Sequence, residues 1–276
     1  IDYANVQIRW SPDSSRLFAV QRDTRQVKTT PVIYHVPPDG SIRPQVVEKT
    51  EVYPGDAQIE TLRLLAIDIK TGKLQEANYR HIPVTRSPLP FFDANLGWWS
   101  RDSQKAYFVD VERDYKTVRV VEFDTQTGAT RILFEEYSNT FISLMHNSDE
   151  PPALLPLPDT SELLWFSERS GWAHFYLYDL ETGQLKHPVT QGNWLVRDIV
   201  KVDTQRREIF VQTAGRNTGW DPYYRDLCRI HLDTGEITPL ISGDHDYWAV
   251  TQKNQNTMMA VGTGCDVASS CAVAPS

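Results

Sequence analysis

A turn of the form Asp-x-x-Thr-Gly recurs along the chain, as Asp68-Ile-Lys-Thr-Gly72, Asp124-Thr-Gln-Thr-Gly128, Asp179-Leu-Glu-Thr-Gly183 and the shorter Asp233-Thr-Gly235. The glycines lie 56, 55 and 52 residues apart, so a structural unit of nearly constant length is repeated at least four times. Each copy closes an alternating apolar run. Asp bonds the backbone just after it, Thr suits the strand edge, and Gly supplies the positive φ of a tight hairpin, so every copy joins two antiparallel strands.

A second element precedes each turn: Trp10-Ser-Pro-Asp13-Ser-Ser-Arg-Leu-Phe-Ala-Val, then Trp99-Ser-Arg-Asp102-Ser-Gln-Lys-Ala-Tyr-Phe-Val. Weaker copies begin at Pro158-Asp159 and Val202-Asp203. Strand, Asp-centred turn, strand, loop, strand, Asp-Thr-Gly turn and strand make a four-stranded antiparallel meander, the blade of a β-propeller. The predicted fold class is therefore all-β, with about four to five blades. The first unit covers residues 1–80, the next three about 92–138, 153–192 and 196–241, and an incomplete last blade covers 245–270. The first unit carries an insertion at about 23–60, rich in Pro and charge and too long for an ordinary connection, which reads as functional or as a projecting hairpin. The last blade's Asp turn is degraded to Lys253-Asn-Gln-Asn, and the end after Cys271 reads as a frayed tail.

Bulk properties narrow the function. A 40% apolar content over 276 residues fills a sizeable core, and a net charge of −8 argues against nucleic acid or an anionic bilayer as partner while mildly favouring basic partners. No run of about 20 apolar residues spans a membrane, and Ile1-Asp2-Tyr3 has neither an initiator Met nor the order of a signal peptide, so the chain is expected to begin inside a longer polypeptide. Three cysteines suit neither a disulfide scaffold nor a structural zinc site. Cys265 and Cys271 can bridge if the parent is exported or stay free if it is not; Cys228 alternates with apolar residues and reads as core.

Several segments, in order, resemble the N-terminal propeller of the dipeptidyl peptidase IV family of serine peptidases, in a bacterial member. They are Trp10-Ser-Pro-Asp13 with Arg22-Asp23, Tyr53-Pro-Gly-Asp56 before Leu62-Arg-Leu64, and above all Trp165-Phe-Ser-Glu168-Arg169-Ser-Gly171-Trp172-Ala-His174-Phe-Tyr-Leu-Tyr178-Asp179, followed by Val189-Thr-Gln-Gly192-Asn-Trp194 and Asp198. Asp221-Pro-Tyr-Tyr-Arg225 resembles bacterial members, where an aromatic-Arg pair precedes a blade's penultimate strand. The resemblance implies a propeller of eight blades, only part of which lies here, followed by an α/β-hydrolase domain with a Gly-x-Ser-x-Gly elbow. No such elbow occurs in this sequence, and Gly262-Thr-Gly264 has the wrong spacing. The expectation is thus a non-catalytic module that gates access and helps orient the peptide amino terminus, in a parent that is periplasmic or secreted, with no cofactor and no metal. Its peptide substrate is met through the missing catalytic domain.

No residue is assigned a catalytic role. The family's acidic pair for the substrate amino end falls at or before Ile1, and Glu135-Glu136, read as following a blade's last strand, is not taken as its substitute. Arg22 and Asp23, in Arg22-Asp23-Thr-Arg25, are the weak candidates for substrate contact; a surface ion pair is the competing reading. Trp98-Trp99 reads as packing between blades, His174 as a satisfied interior group, Asp244-His245-Asp246 as a solvated loop, and Arg216-Asn-Thr-Gly-Trp220 as an exposed loop with an aromatic tip. The alternative function is a stand-alone propeller scaffold for protein contacts, which requires a closed ring. An open array exposes strand edges and apolar faces, so homo-oligomers of this chain are expected.

Overall fold

A computed structural model describes residues 7–84, 90–144, 153–241, 243, 245–251, 258–263 and 271–273, with only the backbone course from 249 onward. The described residues are all-β. The chain opens with β1 (Gln7–Trp10) and β2 (Arg16–Asp23), makes a ribbon of β3 (Thr29–Tyr34) and β4 (Gln45–Thr50), and returns as β5 (Thr61–Asp68), β6 (Leu74–Glu76) and β7 (Ile82–Pro83). The first sheet has the order β1-β2-β5-β6, with β7 paired to the start of β5; β3 and β4 pair with each other. The ribbon falls inside the insertion at 23–60.

Three four-stranded antiparallel sheets follow. They comprise β8 (Gly97–Trp99), β9 (Lys105–Val111), β10 (Thr117–Asp124) and β11 (Thr130–Tyr137); then β12 (Leu155–Leu157), β13 (Glu162–Ser167), β14 (His174–Asp179) and β15 (Leu185–Pro188); then β16 (Leu195–Asp203), β17 (Glu208–Ala214), β18 (Arg225–His231) and β19 (Ile237–Ile241). A fifth sheet holds β20 (Asp246–Thr251), β21 (Met258–Thr263) and β22 (Cys271–Val273). The strand at Cys271–Val273 differs from the expected frayed tail: Met258, Met259 and Ala260 of β21 give those residues a pairing partner. The degraded turn at Lys253 and the possible partner Cys265 lie outside the described residues.

The recurring turns work by the chemistry their residues suggest. The Asp68 carboxylate accepts from the Thr71 amide and hydroxyl, and Gly72 at φ +69° donates its N–H back to the Asp68 carbonyl. Gly128, Gly183 and Gly235 repeat the last step with Asp124, Asp179 and His231. The first-hairpin turns hide a feature that the sequence does not advertise. Ser14, Ser103, Ser161 and Arg207 occupy equivalent places and all have positive φ, a position Gly would fill with less strain.

Strand alternation distributes side chains between neighbouring sheets. Within the third sheet, Trp165, Tyr176 and Tyr178 join a core shared with the first and second sheets, whereas Leu164, Phe166, Phe175 and Leu177 join a core shared with the fourth. Both Trp98 and Trp99 are buried; Trp99 meets Phe18 edge-on at 6.1 Å and donates its indole N–H to the Arg9 carbonyl at 3.0 Å. The sheets therefore pack face to face, each through its own apolar surface, as propeller blades do.

Candidate functional site

The two ends of the sheets differ in kind. One end carries the tight Asp-centred turns. The other carries the ribbon, the loop between β9 and β10, and the loops that hold the exposed Trp172 and Tyr223. A cleft of about 1010 Å³ opens at this second end between the base of the ribbon and the first two sheets.

Its apolar floor includes Leu62, Phe91 and Leu96, all buried. One wall is a strap, the turn Tyr53-Pro54-Gly55-Asp56, closed by Asp56 N–H to the Tyr53 carbonyl (3.1 Å) and Tyr53 N–H to the Asp56 carboxylate (2.9 Å), with Gly55 at φ +90°. Arg113, from the β9–β10 loop, donates to the carbonyls of Tyr53 (3.0 Å) and Asp56 and so ties the strap to the second sheet. Arg22 and Glu60 form an ion pair on the same lining, and Glu112 also faces the cleft while accepting from Arg80 and Arg119. Three cations (Arg22, Lys49, Arg113) and three carboxylates (Glu51, Glu60, Glu112) balance around an apolar floor. An apolar floor rimmed by these few placed charges is a surface suited to binding.

Arg22 thus lies on the cleft, while Asp23 does not. Its carboxylate is chelated by Arg25 at 2.6 and 2.9 Å, which holds it well below the usual carboxylate range. Adjacent strand residues point to opposite faces, which separates the two candidates. Glu60, Glu112 and Arg113 escaped sequence reasoning because no motif marks them.

Glu135-Glu136 lies within β11 rather than after it, and both residues are engaged. Glu135 pairs with Arg119 at 2.6 Å; Glu136 is buried and accepts from Trp165 Nε1 (2.7 Å), Ser167 Oγ (2.5 Å) and Arg169 Nη2 (2.6 Å). Arg169 also lies over the Tyr176 ring at 4.4 Å and donates to the Tyr178 hydroxyl. The most family-like segment of the sequence is therefore an inter-sheet staple. Between the first and second sheets, buried Asp110 receives Tyr79, Arg80 and Arg119 on Oδ2, while its Oδ1 is buried without a protein partner; burial pushes its carboxyl up.

The loop Arg216–Trp220 departs from the expected exposed aromatic tip. Trp220 is half-buried, and Arg216 and Asn217 turn inward to Asp226. Asp246 of the acidic triplet pairs with Arg225 at 2.5 Å; Asp244 lies outside the described residues. Cys228 is buried. Among the described residues no cluster of three His, Cys, Asp or Glu could hold a metal ion, and no helix is long and apolar enough to cross a membrane.

His174 is buried, with Nδ1 3.0 Å from the Thr190 hydroxyl and Nε2 2.9 Å from the Gly192 carbonyl. A carbonyl only accepts, which assigns the proton to Nε2. The Thr190 oxygen already accepts from Phe175 N–H, leaving its hydroxyl hydrogen for Nδ1. Burial lowers the His174 pKa, partly opposed by the Gly192 carbonyl. Below about pH 6.5 the unfolded chain then binds a proton that the folded chain resists, so this contribution to stability is present above that pH and lost as pH falls through the lowered value. Urea midpoints between pH 5 and 7.5 should fall more steeply on the acid side for the natural chain than for His174→Gln; parallel curves would remove His174 as the cause.

Comparison with known proteins gives a consistent picture. The family model described as the dipeptidyl peptidase IV N-terminal region matches residues 3–267. A probable dipeptidyl peptidase 4 of Emericella nidulans is 25% identical over 249 residues, covering 88% of this chain and 31% of that protein. Dipeptidyl peptidase 4 of Trichophyton equinum is 36% identical over 76 residues, 28% of this chain and 9% of that protein. In fold, the crystal structure of Porphyromonas gingivalis dipeptidyl peptidase 4 matches 92% of this chain and 33% of its own with a TM-score of 0.70, at 18% identity. The chain therefore spans about a third of the length of such proteins.

Proposed function

Because this chain belongs to the family of dipeptidyl peptidase IV N-terminal regions, we propose that it is the non-catalytic propeller module of a dipeptidyl peptidase IV-like serine exopeptidase, gating access to the active site and helping to orient the peptide amino terminus. The observation that carries this reading is the cleft at the long-loop end, with its apolar floor, its balanced charges and a strap held in place by Arg113. A preformed concave surface with few placed polar groups suits recognition of a peptide rather than its cleavage. Arg22, on the cleft with Glu60, is the residue of this chain that meets substrate; Asp23, committed to Arg25, supports the local turn.

The nucleophile belongs to a further domain, and a periplasmic or secreted parent gives the enzyme access to extracytoplasmic peptides. As an isolated open array, this chain self-associates through strand edges and apolar faces that neighbouring blades would cover. The decisive test expresses the gene's full reading frame beside this chain and assays both for release of N-terminal Xaa-Pro dipeptides. Activity in the long form alone supports the module reading; inactivity in both shifts the function to a scaffold for protein contacts.

A further inference from the structure

The hairpins that join the two central strands of the second and third sheets are built alike. Glu112-Arg113-Asp114-Tyr115 leads from β9 towards β10, and Glu168-Arg169-Ser170-Gly171 leads from β13 towards β14. In each, the fourth residue donates its N–H to the carbonyl of the first, Tyr115 to Glu112 at 2.9 Å and Gly171 to Glu168 at 2.8 Å. That fourth residue has a positive φ in both, +56° for Tyr115 and +89° for Gly171. Glycine adopts this conformation without steric cost, whereas a Cβ strains it and bulky side chains are rarely found there. The other described non-glycine residues with positive φ are Ser14, Asn95, Ser103, Ser161 and Arg207, so Tyr115 is the one aromatic among them.

This residue borders the cleft. Its ring stacks on Phe141 at 5.0 Å with 20° between the planes, and Phe141 is itself 55% exposed. Ile142 N–H donates to the Tyr115 carbonyl at 2.7 Å and fixes the backbone. Half-buried at the margin of the core, the side chain gains too little from burial to account for the strain. Strained backbone of this kind gathers at sites that clamp ligands. The chemistry of the cleft narrows the ligand. Arg22 is engaged by Glu60, Arg113 by the strap carbonyls, and Lys49 Nζ lies 5.1 Å from the centre of the Tyr34 ring, so the cations are poorly placed to gather phosphate. What the lining offers is an apolar floor and two tyrosines, Tyr115 and the 49% exposed Tyr53, the second on the strap that Arg113 of the same hairpin holds.

We propose that Tyr115 is the specificity-determining residue of the cleft, its ring packing against an apolar side chain of an extended peptide, with Tyr53 as the second aromatic contact. The proposal rests on the reading of the cleft as a peptide site and names what the peptide must carry. A tyrosine ring supplies a large contact area at low entropic cost, and a backbone already fixed lowers the ordering that binding requires. The third sheet has glycine at the same hairpin position, and there the arginine serves the buried Glu136 instead of a cleft.

Fluorescence anisotropy tests this on the product of the gene's full reading frame, with peptides labelled at the carboxyl end and carrying a reduced, uncleavable bond after the second residue. The probes are a Gly-Ser octapeptide beginning Ala-Pro and its variants with one Leu at each later position in turn. At least one Leu position should tighten binding by roughly tenfold over the Gly-Ser probe. Tyr115→Gly and Tyr115→Asn, both tolerant of positive φ, should lose that preference, and Tyr115→Phe should keep it. Urea midpoints of the Gly and Asn variants should move little, because relief of strain opposes loss of the ring contact. Equal binding of Leu and Gly-Ser probes by the natural protein overturns the proposal. A Leu preference that survives in the Gly and Asn variants does so too, and a lowered urea midpoint beside it would make the ring a packing element. The peptidase reading is decided separately, by release of Xaa-Pro dipeptides from cleavable substrates by the same product.

Discussion

Glu136→Ala should lower the stability of the chain by about 3 kcal/mol, the low end of what breaking a buried ion pair costs, since the Arg169 side chain keeps about a third of its exposure. Three donors converge on this carboxylate, and two of them cannot turn elsewhere: Trp165 is fully buried, and its indole N–H would lose its acceptor inside the core. The guanidinium of Arg169 would remain between Tyr176 and Tyr178 without its carboxylate. Glu136→Gln keeps an acceptor for Trp165 and Ser167 but removes the charge, so roughly half of the loss should appear. The adjacent Glu135 is exposed and pairs with Arg119 at the surface, and Glu135→Ala should cost less than about 1 kcal/mol. Urea denaturation followed by Trp fluorescence measures all three. Equal losses for Glu135→Ala and Glu136→Ala would mean that the second and third sheets are not stapled through this group.

That staple shows where sequence reasoning stops. The Asp-Thr-Gly turns were legible because each is self-contained: Asp68, Thr71 and Gly72 bond within five residues, so residue types at fixed spacing dictate the conformation. Meander order and the all-β class follow from those turns. The Glu136–Arg169 pair joins residues 33 positions apart, and the Arg113–Asp56 contact joins residues 57 apart, so neither partner is encoded in the segment that holds the other. Which face of a strand meets which neighbour decides such contacts, and that depends on how sheets stack. Glu136 accordingly reads in sequence as one of two equivalent acids, whereas burial makes it unlike Glu135. Arg22 and Asp23 were likewise inseparable as a dipeptide until the pleat turned one to the cleft and the other to Arg25. The cleft itself gathers residues from many separate stretches between Gln7 and Tyr115, with nothing in any one stretch to announce it.

The period of the sequence has a second cause besides turn geometry, and substitution of the turn glycines separates the two. Gly72 and Gly183 have nearly the same backbone, at φ +69° and +78°. Alanine at either pays the left-handed conformation, about 1 kcal/mol or somewhat more. At Gly72 no described residue stands in the way. At Gly183 the new methyl would collide with the Leu133 carbonyl, which is backbone of a paired strand and cannot swing aside as a side chain would. The third sheet would have to retreat from the second, disturbing the packing of Phe134 against Trp165 and Tyr178, and overpacking of this kind adds about 1–3 kcal/mol. Gly183→Ala should therefore destabilise the chain by about 2–4 kcal/mol and Gly72→Ala by about 1, both read from urea midpoints under conditions where the chain is monomeric. Equal losses would reduce the recurring glycine to a hairpin requirement. A larger loss at Gly183 makes it the point where one blade seats on the next, so that the spacing of 52 to 56 residues measures the repeat of an interface as much as the length of a meander.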